Sequence, residues 1–147
     1  FLNPAHSHEL AASYRACFKP GNGLAKPHVN VGVFVLCAET QEEADALALT
    51  RDVWRLGLEK GMPGPIPSVN EAYAYPFTAH ERALIEQRRK HAICGTPKVV
   101  AEQLRGLASK HQADELVIIS NCYDFDVRKN SYKLLAKEFA LQGETPA

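Results

Sequence analysis

The chain has 147 residues, 46% of them hydrophobic, which is enough for one domain with a core of its own. Its 17 basic and 17 acidic side chains are scattered and cancel, so neither a nucleic acid nor an anionic membrane is an expected partner. No apolar run nears the roughly 18–20 residues that cross a bilayer.

Phe1-Leu2-Asn3-Pro4 carries neither a basic leader nor an initiator Met, and the chain is expected to begin inside a longer reading frame. Asn3 suits a helix cap and Pro4 a first helical position. Leu10, Tyr14, Cys17 and Phe18 then share one face until Pro20-Gly21-Asn22-Gly23 stops the pattern. From His28 to Cys37 there is no charge, and both alternating sets are apolar or small. A strand buried on both faces reads this way, which favours a parallel sheet covered by helices.

Thr40 and Glu43 have capping-box spacing and start a helix to about Lys60, in which Trp54 is expected to be core. Gly61 to Thr78 interrupts the rhythm with four prolines and an aromatic group of Tyr73, Tyr75 and Phe77. Such an excursion is either a lid or insertion loop over a pocket, or a Pro-stiffened surface segment packed onto the body. Thr78 and Glu81 form a second capping box ahead of a short charged helix, and Thr96 caps another that Pro97 opens. Leu116-Val117-Ile118-Ile119 reads as a second fully apolar strand, followed by a closing helix marked by Val127, Ser131, Leu134, Leu135 and Phe139. The alternation of strands and helices predicts a parallel α/β architecture in a single domain spanning residues 1–147.

Cys17, Cys37, Cys94 and Cys122 have no close pairing, which argues against zinc or redox motifs and for isolated thiols in a reducing, cytoplasmic setting. His6 and His8 lie on different faces of a helix with no third ligand at suitable spacing, so no metal site is expected. No nucleophile with its base, no phosphate-cradling glycine fingerprint and no paired carboxylates can be picked out.

Several stretches together carry a resemblance. His28-Val29-Asn30-Val31-Gly32-Val33 with Ala38-Glu39-Thr40-Gln41-Glu42-Glu43-Ala44, Cys94-Gly95-Thr96-Pro97-Lys98-Val99-Val100, and Ala113-Asp114-Glu115-Leu116 with Tyr123-Asp124 and Ser131-Tyr132 resemble, in order and spacing, the C-terminal part of the bacterial luciferase-like flavin-dependent monooxygenases. Phe1-Leu2-Asn3-Pro4 is similar to the end of an earlier strand of that family. The resemblance implies a partial (β/α)8 TIM barrel, since a whole one takes about 250 residues. It also implies reduced flavin mononucleotide (FMN) as cofactor, or a deazaflavin as in a related branch, with O2 and a small organic substrate, and a separate flavin reductase as a partner of the intact protein.

Barrel enzymes keep their chemistry at the C-terminal ends of the strands, so the resemblance implies candidate positions at Asn3, Cys37 to Glu39, and Ser120 to Tyr123. Of these, Asn3, Ser120, Asn121 and Tyr123 are the expected cofactor-binding residues, and no catalytic residue can be assigned. Ser120 and Asn121 could donate to a flavin carbonyl or satisfy backbone groups of their own turn. Tyr123 could stack at the mouth or cover the rim, and Asp124 reads as the cap of the last helix. Gly95-Thr96-Pro97 offers free N–H groups at a helix start, an arrangement more often structural than anion-binding. Most flavin contacts would come from absent strands, so the fragment alone is expected to be inactive. A non-catalytic remnant of the same fold is the other reading. Open apolar edges would favour a homo-oligomer or association with the missing barrel half.

Overall fold

The computed structural model describes residues 7–21 and 23–141. Asn3, Pro4 and His6 lie outside them. The centre of the fold is a parallel sheet in which β1 (Asn30–Cys37) has β2 (Ile93–Gly95) on one edge and β3 (Glu115–Ile119) on the other. The β1–β3 register runs from Asn30↔Glu115 to Phe34↔Ile119, and β2 pairs only with the last turn of β1, from Val35↔Ile93 to Cys37↔Gly95.

Alternation along the strands divides their side chains between two faces. Val33, Val35 and Cys37 of β1 and Leu116 and Ile118 of β3 pack against α5 (Pro97–His111) and α6 (Phe125–Glu138) through Val100, Leu104 and Leu135. On the opposite face only the strand ends are covered, where Leu36 and Ala38 meet Ala44, Leu47 and Ala48 of α2 (Gln41–Glu59). Farther down that face Phe34 is 42% and Val117 39% exposed. The strands expected to be buried on both faces are therefore covered along one and only at their ends on the other. The partial barrel expected from the resemblance is likewise not seen: among the described residues the strands form an open three-stranded sheet, and barrel closure takes about eight.

The caps account for where the helices begin. Thr40 Oγ1 accepts from Glu43 N–H at 3.1 Å, and the Glu43 carboxylate reaches past the cap to Glu39 N–H at 3.3 Å, so the expected box is shifted by one residue. Thr78 and Glu81 form the expected reciprocal box at the start of α4 (Ala79–Arg89). Ser68 and Glu71 form another, unanticipated, at α3 (Val69–Ala74) inside the proline-rich excursion. Asp124 caps α6 by accepting from Asp126 and Val127 N–H at 2.8 and 3.0 Å. Thr96 occupies the cap position of α5, but its side chain makes no capping bond; Pro97, lacking an N–H, leaves one fewer donor to satisfy.

Segment 61–78 is tied to α2. Trp54, expected in the core, is half-buried because its indole N–H reaches out to Gly64 C=O at 3.1 Å. Lys60 pairs with Glu81 and donates to the Tyr75 hydroxyl at 2.9 Å. Arg88 to Glu59 at 2.6 Å and Arg89 to the buried Asp52 at 2.8 Å fasten α4 to α2. In α1 (Ser7–Cys17) the expected apolar face of Leu10, Tyr14 and Cys17 is exposed, and Ala11 is the residue buried. Polar contacts hold this helix instead. Arg15 donates to Gln112 C=O and Asp114 at 2.5 Å, and the Ser7 hydroxyl lies 2.7 Å from Nε2 of the buried His111.

Candidate functional site

Because the strands are parallel, Cys37–Glu39, Gly95–Thr96 and Ser120–Tyr123 arrive at the same end of the sheet. Ala38 N–H bonds Gly95 C=O at 3.1 Å, which joins the first two of these turns. Gly95 has φ +153°, and a Cβ there would stand 2.9 Å from Gln41 Oε1 and 3.2 Å from Val99 Cγ1, so the turn into α5 excludes a side chain.

The third turn is joined by α6. Strand pairing between β1 and β3 stops at Phe34↔Ile119, and the next inward-facing donor of β1, Cys37 N–H, bonds Ser131 Oγ at 3.0 Å. That hydroxyl is 3.3 Å from Ser120 Oγ, and Ser131 and Ser120 are 0% and 1% exposed. Tyr132 then accepts from Ser120 N–H at 2.9 Å. A hydroxyl serves here because it can accept from a backbone N–H and share a proton with a second hydroxyl at once.

Of the sequence-derived candidates, Ser120 is thus buried with its hydroxyl against α6, Asn121 is half-buried, Tyr123 is 41% exposed at the rim, and Asn3 lies outside the described residues. Glu39 is exposed, while Cys37 and Ala38 are buried. Ser131 and Tyr132, which hold the turns together, entered the sequence reading as part of the family resemblance and as a Ser within an apolar helical stripe, with no role at the strand ends. Burial pushes the thiols of Cys37, Cys94 and Cys122 up to about 11, so at neutral pH they are protonated and poor nucleophiles. Among the described residues no group of three His, Cys, Asp or Glu side chains could hold a metal ion.

Two open depressions lie elsewhere. One of about 550 Å³, lined by Arg15, Lys26, His28 and Asp114, is at the N-terminal ends of the strands, and one of about 510 Å³ runs along Phe125, Arg128, Lys129 and Tyr132 of α6. The strand-end turns, with Asn121 and Tyr123, lie at the end of a sheet face on which Phe34 and Val117 are partly exposed.

Fold and strand-end site together define a parallel α/β unit that matches part of a longer luciferase-like fold. The chain is 38% identical over 139 residues to the uncharacterized protein YceB of Bacillus subtilis, matching 95% of this chain and 42% of that protein. It is 23% identical over 121 residues to a luciferase-like monooxygenase of Escherichia coli, matching 82% of this chain and 36% of that one. The crystal structure of apo-MsnO8 superposes on 96% of this chain and 43% of its own, with a TM-score of 0.80 and 27% identity. The chain therefore spans less than half the length of these relatives. No protein-family model matches it.

Proposed function

We propose that the chain is a fragment of a luciferase-like, flavin-dependent monooxygenase, contributing three strands to one side of a β/α barrel completed by sequence it does not contain. The observation that carries this reading is a similarity that runs through nearly all of this chain and less than half of its relatives, one of them a luciferase-like monooxygenase. The bare face around Phe34 and Val117 would be the barrel interior, and the turns at Cys37–Glu39 and Ser120–Tyr123 part of its mouth. Reduced FMN, or a deazaflavin, supplies the electrons that activate O2 when it is bound. Toward it this chain offers an apolar wall, the Asn121 amide and the Tyr123 ring, while Ser120 acts through its backbone and through its bond to Ser131. The substrate class is a small organic molecule, and a flavin reductase would serve the intact protein.

One cofactor wall without a phosphate site makes the isolated chain catalytically silent. A chimera in which residues 7–141 replace the matching part of YceB tests this. With reduced FMN, O2 and aldehyde substrates, flavin-dependent turnover by the chimera and none by the isolated chain is expected. Failure of a folded chimera to bind either flavin or deazaflavin overturns the flavin reading, and turnover by the isolated chain overturns its incompleteness. The open sheet face favours one second reading, a non-catalytic remnant that pairs with another chain; a chimera that binds flavin tightly without consuming O2 selects it.

A further inference from the structure

Ser7 and His111 stand 104 positions apart in sequence, and the packing of α1 on α5 brings the Ser7 hydroxyl to 2.7 Å from His111 Nε2. The other ring nitrogen, Nδ1, lies 2.9 Å from Leu107 C=O one turn back in α5. A carbonyl oxygen only accepts, so Nδ1 of the neutral ring carries the proton and Nε2 presents its lone pair. Ser7 Oγ–H therefore donates to Nε2. A nucleophile, a base and a group that orients the base are thus in line, which is the arrangement that activates a serine for attack. The pair differs from an ordinary helix cap in two respects. A serine at a helix start usually turns its oxygen to the N–H groups of its own helix, whereas this hydroxyl gives its proton to another helix. Beside it, His8 stands edge-on to His111 with ring centroids 6.0 Å apart, and His8 Nδ1 is buried with no hydrogen-bond partner. Buried polar atoms nearly always find a partner, and this one is available to the oxygen of a bound acyl group.

We propose that Ser7 is an acyl-acceptor site, whose hydroxyl, with His111 as its base, takes the acyl group of an activated ester or thioester. Ser7 Oγ bonds to the acyl carbon as its proton passes to His111 Nε2. The bond from the acyl carbon to the leaving oxygen or sulfur then breaks, and His111 hands the same proton to that atom. Nothing is oxidised or reduced. The orienting group is a backbone carbonyl, which supports an imidazolium less than a carboxylate does, so the site suits donors whose leaving group departs readily. His111 is 3% exposed and Ser7 half-buried, so the hydroxyl can be reached while the base is shielded from water. That shielding keeps His111 from activating water once Ser7 is esterified, and the acyl group stays on the serine. The inference is independent of the flavin reading. α5 begins at the turn of Gly95 and Thr96, and His111 is in its last turn, at the opposite end of the helix.

Incubating the full 147-residue chain with p-nitrophenyl acetate at neutral pH, and locating the acetyl group by peptide mass spectrometry, tests this. Ser7 should be acetylated at least about a hundredfold faster in the folded chain than in the chain unfolded in urea, since a positioned general base contributes at least that much. Ser7→Ala, which keeps Ser13 in the same tryptic peptide, should abolish the fast label. His111→Gln should slow it to the rate in urea with an unchanged circular dichroism spectrum; if that variant does not fold, the comparison in urea decides. A Ser7 that stays unlabelled, or is labelled equally fast in urea, makes the pair a structural contact and overturns the proposal, as does a fast label that survives Ser7→Ala. Undiminished labelling of a folded His111→Gln variant overturns the choice of base. Loss of the acetyl group from Ser7 as fast as it formed makes the site a hydrolase and overturns the retained acyl product.

Discussion

Replacing Ser131 by Ala removes one oxygen atom and two connections. Cys37 N–H loses its acceptor at 3.0 Å in a site closed to water, and Ser120 Oγ loses its neighbour at 3.3 Å. An unsatisfied buried donor costs about 1–3 kcal/mol, and the second bond adds about 0.5–1 kcal/mol. A loss of about 2–4 kcal/mol follows, which at a urea slope of about 2 kcal/mol/M lowers the unfolding midpoint by about 1–2 M. Ser120→Ala removes only the hydroxyl pair and leaves Cys37 N–H bonded, so it should cost about 0.5–1 kcal/mol. Urea titrations of both variants, followed by circular dichroism, provide the comparison. If Ser131→Ala unfolds at the same midpoint as Ser120→Ala, the bond to Cys37 is not what holds the strand ends together.

Gly95→Ala should destabilise by about 1–3 kcal/mol, since its backbone conformation and the Val99 contact both resist a Cβ; an unchanged thermal midpoint would refute this. Lys60, and then Thr78 N–H, hold the Glu81 carboxyl down from 4.5 to about 2. A carboxylate depressed in the folded state stabilises it above the usual carboxylate range and loses that contribution as the pH falls from 4.5 toward 2. Glu81→Gln should therefore flatten the acid limb of a stability-against-pH curve, and parallel limbs for the two proteins would count against the pairing. Cys17 is exposed, while Cys37 is buried with its thiol pushed up to about 11, so iodoacetamide at neutral pH should label Cys17 first and Cys37 only on unfolding, as read by mass spectrometry.

The elements with local signals were legible in the sequence. Asp124, Thr78 with Glu81, and the uncharged strand ahead of Cys37 each carry their reason within a few residues. Ser68 and Glu71 carry the same capping signal, but the prolines around them drew the segment toward a loop. β2 was missed because Ile93–Gly95 is too short for a pattern of its own and exists through pairing with a strand some sixty positions earlier. Apolar residues were read as buried, and for Leu10, Phe34 and Val117 the described residues contain nothing that covers them fully. At the site, position was legible and direction was not. The turn at Ser120 to Tyr123 falls at the strand ends as expected, whereas the burial of the Ser120 hydroxyl depends on Ser131, whose role no local pattern reveals.

The bond from Cys37 to Ser131 spans 94 positions of sequence. It has a temporal side, because a chain leaving the ribosome completes β1 long before it has made α6. Until that helix docks, the end of the central strand has an unmet donor on one side, although β2 and α5 can already be in place on the other. Contacts so far apart form late and slow folding. Among the described elements, α6 is thus the one whose docking completes the strand ends, and without it those ends would be open to water and to other chains.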